Sequence, residues 1–185
     1  MKRIVLSTIA LAVLCGAPFL RSQANRSTHS EEAMPSTPST EEVNELLSKA
    51  SEYVDLYKST FKNAKPTLDK SPASGFVEKS DELCGQATTI IAAIMKNGPT
   101  AYALVGLLGV LDDMSLNAAK ASGMAMVVGL EDGSSDQKRH AMQDIQDLAQ
   151  AGKNCYDISE LIMHSTLRLI AVEERLLRSI SEQQK

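Results

Sequence analysis

Residues 90–113 read IIAAIMKNGPTAYALVGLLGVLDD, the most apolar stretch of the chain after its extreme N-terminus. Asn97-Gly98-Pro99 breaks it in the middle. Asn or Gly tolerates the left-handed backbone that closes a helix, and Pro cannot extend a helix but is welcome where a new one begins. The stretch therefore predicts a helical hairpin with a tight turn. A bilayer-spanning helix needs about 20 apolar residues, whereas the two arms offer roughly nine and eleven. The expectation is a hairpin over 87–111 buried among further helices, since a helix contacted on several sides is apolar nearly all round.

The rest of the chain supplies those helices. Ser39 with Glu42 three residues later fits a capping box, and Val43, Leu47, Ala50, Val54, Tyr57 and Phe61 keep helical spacing until Pro66, where the helix is expected to stop. The second helix is expected from about Phe76 to Lys96, with Cys84 beside its stripe. The third should run from about Thr100 to Leu130. Its internal Gly106, Gly109, Gly123 and Gly129 suggest close approach of a neighbouring backbone or a kink near Gly123. After LEDGSSDQ, with Ser134 or Ser135 as N-cap, an apolar phase runs unbroken from Ile145 to Ile180. At about 1.5 Å per residue that helix outruns its neighbours. It must either protrude or bend at Gly152. The fold class read here is all-α: an antiparallel four-helix bundle with a long C-terminal helix.

Upstream, MKRIVLSTIALAVLCGAPFLRSQA has a basic start, an apolar run from Ile4 to Leu14, and small residues before a cut after Ala24. This reads as a signal peptide over residues 1–24, placing the mature chain in a periplasm or outside the cell. Lipidation at Cys15 is the rival reading, and Leu14 before it argues against that. Residues 25–39 read as a flexible Ser/Thr/Pro-rich tether, and 40–185 as the helical domain.

Cleavage leaves 161 residues with 16 basic and 23 acidic side chains, a net charge of −7. An acidic chain without a basic run is a poor ligand for nucleic acid or anionic lipid, because Lys and Arg must supply the phosphate contacts. Cleavage also leaves two cysteines, Cys84 and Cys155, which in an oxidising compartment are expected to form one disulfide, the alternative being two separate buried thiols that pack as small apolar residues.

Chemistry-bearing residues are sparse. Asp112 and Asp113 interrupt an apolar run and Glu173 falls on the apolar stripe of the last helix. The expected reading is that the third helix turns an exposed face at Asp112 and Asp113, about 100° apart, and that Glu173 pairs with a nearby Arg; the alternative is a partly buried carboxylate at Asp112, Asp113 or Glu173. The i, i+4 pairs Asp136/His140 and Glu160/His164 could chelate a divalent ion, but this spacing is common by chance, and the two histidines fall about 120° out of phase on their helix. Glu131, Asp132, Ser134 and Asp136 lie close together but lack calcium-loop spacing. Haem-attachment, redox, nucleophile-elbow and phosphate-loop motifs are missing, and nothing in the residues asks for a cofactor. With three histidines and no tryptophan, catalysis is poorly provided for.

The expected role is non-catalytic binding, to a protein partner or to a second copy through the long C-terminal helix. Two alternatives stand beside it: a carrier with an apolar cavity lined by small residues of the third helix, and a membrane-active protein that swings out the 87–111 hairpin.

Overall fold

The computed structural model describes residues 36–70, 75–131 and 134–183. These form four helices with no strand among them: α1 (Thr40–Leu68), α2 (Gly75–Asn97), α3 (Ala101–Glu131) and α4 (Ser135–Gln183). The signal-peptide reading of 1–24 and most of the tether lie outside the described residues.

The helix boundaries follow from local chemistry. The Ser39 side chain accepts from the Glu42 amide at 3.0 Å. Gly98, at φ +87°, closes α2 by donating its N–H to the Ile94 carbonyl at 2.9 Å. Thr100 caps α3 by accepting from the Ala103 amide at 3.2 Å. At α4, Ser134 and Gln137 cap each other: the Ser134 amide donates to Gln137 Oε1 at 2.9 Å, and the Gln137 amide to Ser134 Oγ at 3.4 Å.

Pro66 does not stop α1, which continues to Leu68. Proline costs most deep inside a helix. Here it falls within the last turn, and the chain still closes through the Asp69 amide and the Lys65 carbonyl, 2.8 Å apart.

One core joins all four helices. It is built on Leu47, Tyr57 and Phe61 of α1, Leu83 of α2, Leu107 and Met114 of α3, and Leu148 and Ile158 of α4. Each helix packs on its sequence neighbour, and α4 also packs on α1. The two diagonals differ. α1 and α3 approach across the centre, whereas among the described residues no Cα of α2 comes within 8 Å of a Cα of α4.

That geometry corrects the disulfide expectation. Cys84 and Cys155 sit in the same core, but on α2 and α4, and both are free thiols. A cystine needs Cα atoms about 4.4–6.8 Å apart. The open diagonal does not supply this without backbone movement. The Cys84 thiol instead donates to the Val54 carbonyl of α1 at 3.8 Å.

Two packing expectations also change. A Cβ at Gly106, Gly109 or Gly123 would meet nothing within 4 Å. The close approach belongs to Gly152 of α4, where a Cβ would lie 2.9 Å from Ala118 Cβ and 3.2 Å from the Ser115 carbonyl oxygen. Nor is the 87–111 hairpin enclosed on all sides. Its inner face is buried, but Met95, Tyr102 and Val105 are exposed. No helix among the described residues is long and apolar enough to cross a membrane.

Candidate functional site

α4 runs unbroken through Gly152 for 49 residues, about 73 Å at 1.5 Å per residue. α1, α2 and α3 have 29, 23 and 31 residues and cannot cover it. Its burial changes along its length. From Ala141 to Thr166 it carries core residues; Leu169 and Ile170 are half-buried; from Glu173 to Gln183 every residue is exposed. Yet the apolar phase continues. Leu176, Leu177 and Ile180 are 58, 68 and 52% exposed. An amphipathic stripe carried beyond its own core is the strongest interaction signal on the molecule.

The point where α4 leaves the body is fixed by Arg168. Its guanidinium donates to the Ser36 carbonyl at 2.9 Å, to Ser36 Oγ at 3.2 Å and to Glu42 Oε1 at 2.5 Å. Residues 36–39, read from sequence as tether, are thereby held against the domain, with Pro38 buried. Spacing alone hides such a contact, because its partners are 132 and 126 residues apart.

Asp112, Asp113 and Glu173 are all exposed, as the exposed-face reading of the two aspartates expects; the alternative of a buried carboxylate is corrected. The two aspartates fall on the outward face of α3, and Asp112 Oδ1 accepts from Ser159 Oγ at 2.9 Å. Glu173 keeps its place on the stripe, but the stripe has left the core by then. The i, i+4 pairs are surface groups too. Asp136 pairs with Arg139 at 3.0 Å, Glu160 accepts from the Tyr156 hydroxyl at 3.0 Å, and His140 and His164 are exposed. Among the described residues no three His, Cys, Asp or Glu side chains converge as a metal site would need.

Burial governs the thiols. It pushes Cys84 up to about 11, with Lys58 pulling the other way and Asp81 and Asp55 adding to it. It pushes Cys155 to about 12, with Cys84 reinforcing the shift. Both are protonated near neutrality and are poor nucleophiles. A groove of about 670 Å³ between α1 and α2 passes Cys84, with Asp55, Lys58, Asp81 and Thr88 on its walls. A neighbouring groove of about 520 Å³ shares Lys58 and Asp81. Neither is lined by α3, where a small-residue cavity was expected.

Sequence reading missed the central polar contact. Asn117 of α3 is buried, and its amide donates to the Tyr57 hydroxyl at 3.0 Å and to the Phe76 carbonyl at 3.2 Å. Its helical phase with Val110 and Met114 on the buried face was the available signal.

Compared with protein families, curated proteins and solved structures, the chain matches none.

Proposed function

We propose that the mature chain is an exported, antiparallel four-helix bundle that serves as a non-catalytic interaction module, gripping another protein through the free end of α4. The signal-like N-terminus supports export to a periplasm or the cell exterior. Short connections between successive helices support the antiparallel arrangement. So do paired contacts along α4: Glu42 meets Arg168 while Thr67 meets Asp144, and Asp112 meets Ser159 while Ser122 meets the Ile145 carbonyl.

The observation that carries the reading is the exposed Leu176, Leu177 and Ile180 on a helix end that its own domain does not cover. Three large apolar side chains within five residues suit a helical groove or a second helix, where burial of each contributes roughly 1.5–3 kcal/mol. The same end carries Arg168, Arg175 and Arg178 against Glu173, Glu174 and Glu182. This balanced charge opposes neither an acidic nor a basic partner.

Site-specific photo-crosslinking tests it. A benzophenone side chain in place of Leu177, in the full chain made and exported by its own cells, is expected to give a discrete adduct. One in place of Lys62 on α1 should not. The adduct should vanish with Leu176→Asp and Ile180→Asp combined. The same labelling pattern at both positions, or none at 177, overturns the reading.

A further inference from the structure

α3 carries a second uncovered face, and its residues are arranged about a centre. Tyr102, Val105, Leu116, Met126 and Val127 are 90, 51, 52, 52 and 55% exposed, on a helix whose only charges before its last residue are Asp112, Asp113 and Lys120. With Leu116 as origin, Val105 and Val127 stand eleven residues to either side, Gly109 and Gly123 seven, and Asp112 and Lys120 four. At 3.6 residues per turn all of these fall on one side of the helix. Every one of them is exposed.

A two-fold axis through Leu116, perpendicular to α3, converts that internal symmetry into complementarity between copies. An isologous interface brings residue i of one subunit onto j of the other and j onto i. Turning a second α3 about that axis sets its Lys120 against Asp112, its Gly123 against Gly109 and its Val127 against Val105, each contact occurring twice. Leu116 meets Leu116 on the axis. Among the described residues neither Asp112 nor Lys120 has an ion-pair partner within its own chain; Asp112 Oδ1 accepts one hydrogen bond, from Ser159 Oγ at 2.9 Å, and its other oxygen is left to face Lys120 of the second copy. Glycine at positions 109 and 123 weakens the helix and leaves open space in the single chain, but it lets two backbones approach.

We infer that the outward face of α3 is the interface of a symmetric homodimer, in which two antiparallel α3 helices cross at Leu116 with reciprocal Asp112–Lys120 pairs. Glutamate is absent from the crossing and no like charges meet at the dyad. This surface is distinct from the free end of α4 and does not depend on the function proposed for that end.

Sedimentation equilibrium of the full chain, from nanomolar to high-micromolar concentration, decides it. The expected result is a reversible dimer. Leu116→Asp, which places two carboxylates on the axis, is expected to weaken it at least about thirtyfold while the helical circular dichroism stays unchanged. Lys120→Asp should weaken it, and adding Asp112→Lys should restore it. If Leu116→Asp fails to fold, Gly109→Leu serves instead, since its side chain enters open space in the single chain. A monomer at every concentration overturns the inference, whether or not the face binds vesicles or another protein. So does a dimer that survives Leu116→Asp but is broken by Leu177→Asp with Ile180→Asp, which would put the interface on α4.

Discussion

The Asn117 side chain of α3 donates to the Tyr57 hydroxyl of α1 across the centre of the molecule, 3.0 Å apart, with Tyr57 fully buried. The same amide nitrogen also donates to the Phe76 carbonyl, tying α2 to the pair. Three helices therefore meet at one polar point inside the core. An unsatisfied buried polar group costs about 1–3 kcal/mol, more than the net gain of the bond itself. Asn117→Ala, which strands the phenol, is expected to destabilise by roughly 2–4 kcal/mol once the lost packing is added. Tyr57→Phe should cost only about 1 kcal/mol, because Asn117 retains Phe76. Urea unfolding of both variants checks the order; equal losses would deny the asymmetry.

The two thiols set a second expectation. In an unfolded chain they ionise in the ordinary thiol range, near pH 8.5. Folded, Cys84 is pushed up to about 11 and Cys155 to about 12. Above the ordinary value the unfolded chain holds fewer protons than the native one, so stability falls as pH rises from about 8.5 towards 12. The contribution is fully present below pH 8. Cys155→Ala should flatten this alkaline decline while lowering stability at pH 7 through the cavity it leaves. Chemical unfolding at a series of pH values measures both.

Without a disulfide, Cys84 and Cys155 are both expected to be alkylated once the chain is unfolded under non-reducing conditions, and to react slowly while it is folded. Mass spectrometry after labelling counts them directly. Peptides from α2 and α4 joined through sulfur would contradict the free thiols.

Glycines should divide by environment. Gly152→Ala pushes a Cβ to 2.9 Å from Ala118 Cβ, and overpacking of this kind costs about 1–3 kcal/mol. Gly85→Ala, inside α2 with nothing within 4 Å of its Cβ, should stabilise by roughly 0.5–1 kcal/mol. Thermal unfolding should move in opposite directions for the two.

Arg168→Ala should release residues 36–39 and open them to proteolysis ahead of α1. The ion pair with Glu42 is partly exposed, so the accompanying loss of global stability should stay within about 1 kcal/mol. Limited proteolysis with terminal sequencing reads the first effect and denaturant titration the second.

Much of the fold was legible because each helix announces its own period and its own ends. Ser39, Gly98 and Ser134 act locally, so their sequence neighbourhoods suffice to place them. The long phase from Ile145 to Ile180 likewise foretold one long α4, while leaving open whether it protrudes or bends at Gly152. What stayed hidden depends on which helices face each other. Two cysteines at compatible phases look like a bond until α2 and α4 prove to be diagonal. Asp112 and Asp113 were legible as an exposed face, but the contact of Asp112 with Ser159 of α4 was not. Pro66 looks like a stop because sequence rules describe helix interiors, whereas it lies in a last turn. Arg168 and Asn117 could not be assigned from sequence, since their partners are far away along the chain.

The projecting end of α4 also governs how the protein moves through water. About 16 Å of bare rod beyond Val172 adds friction out of proportion to its mass. The helical unit, taken alone, will therefore tumble anisotropically and elute from a sizing column ahead of a sphere of equal weight. Chromatographic position alone would mistake one copy for two, and only a method that weighs the particle can tell them apart.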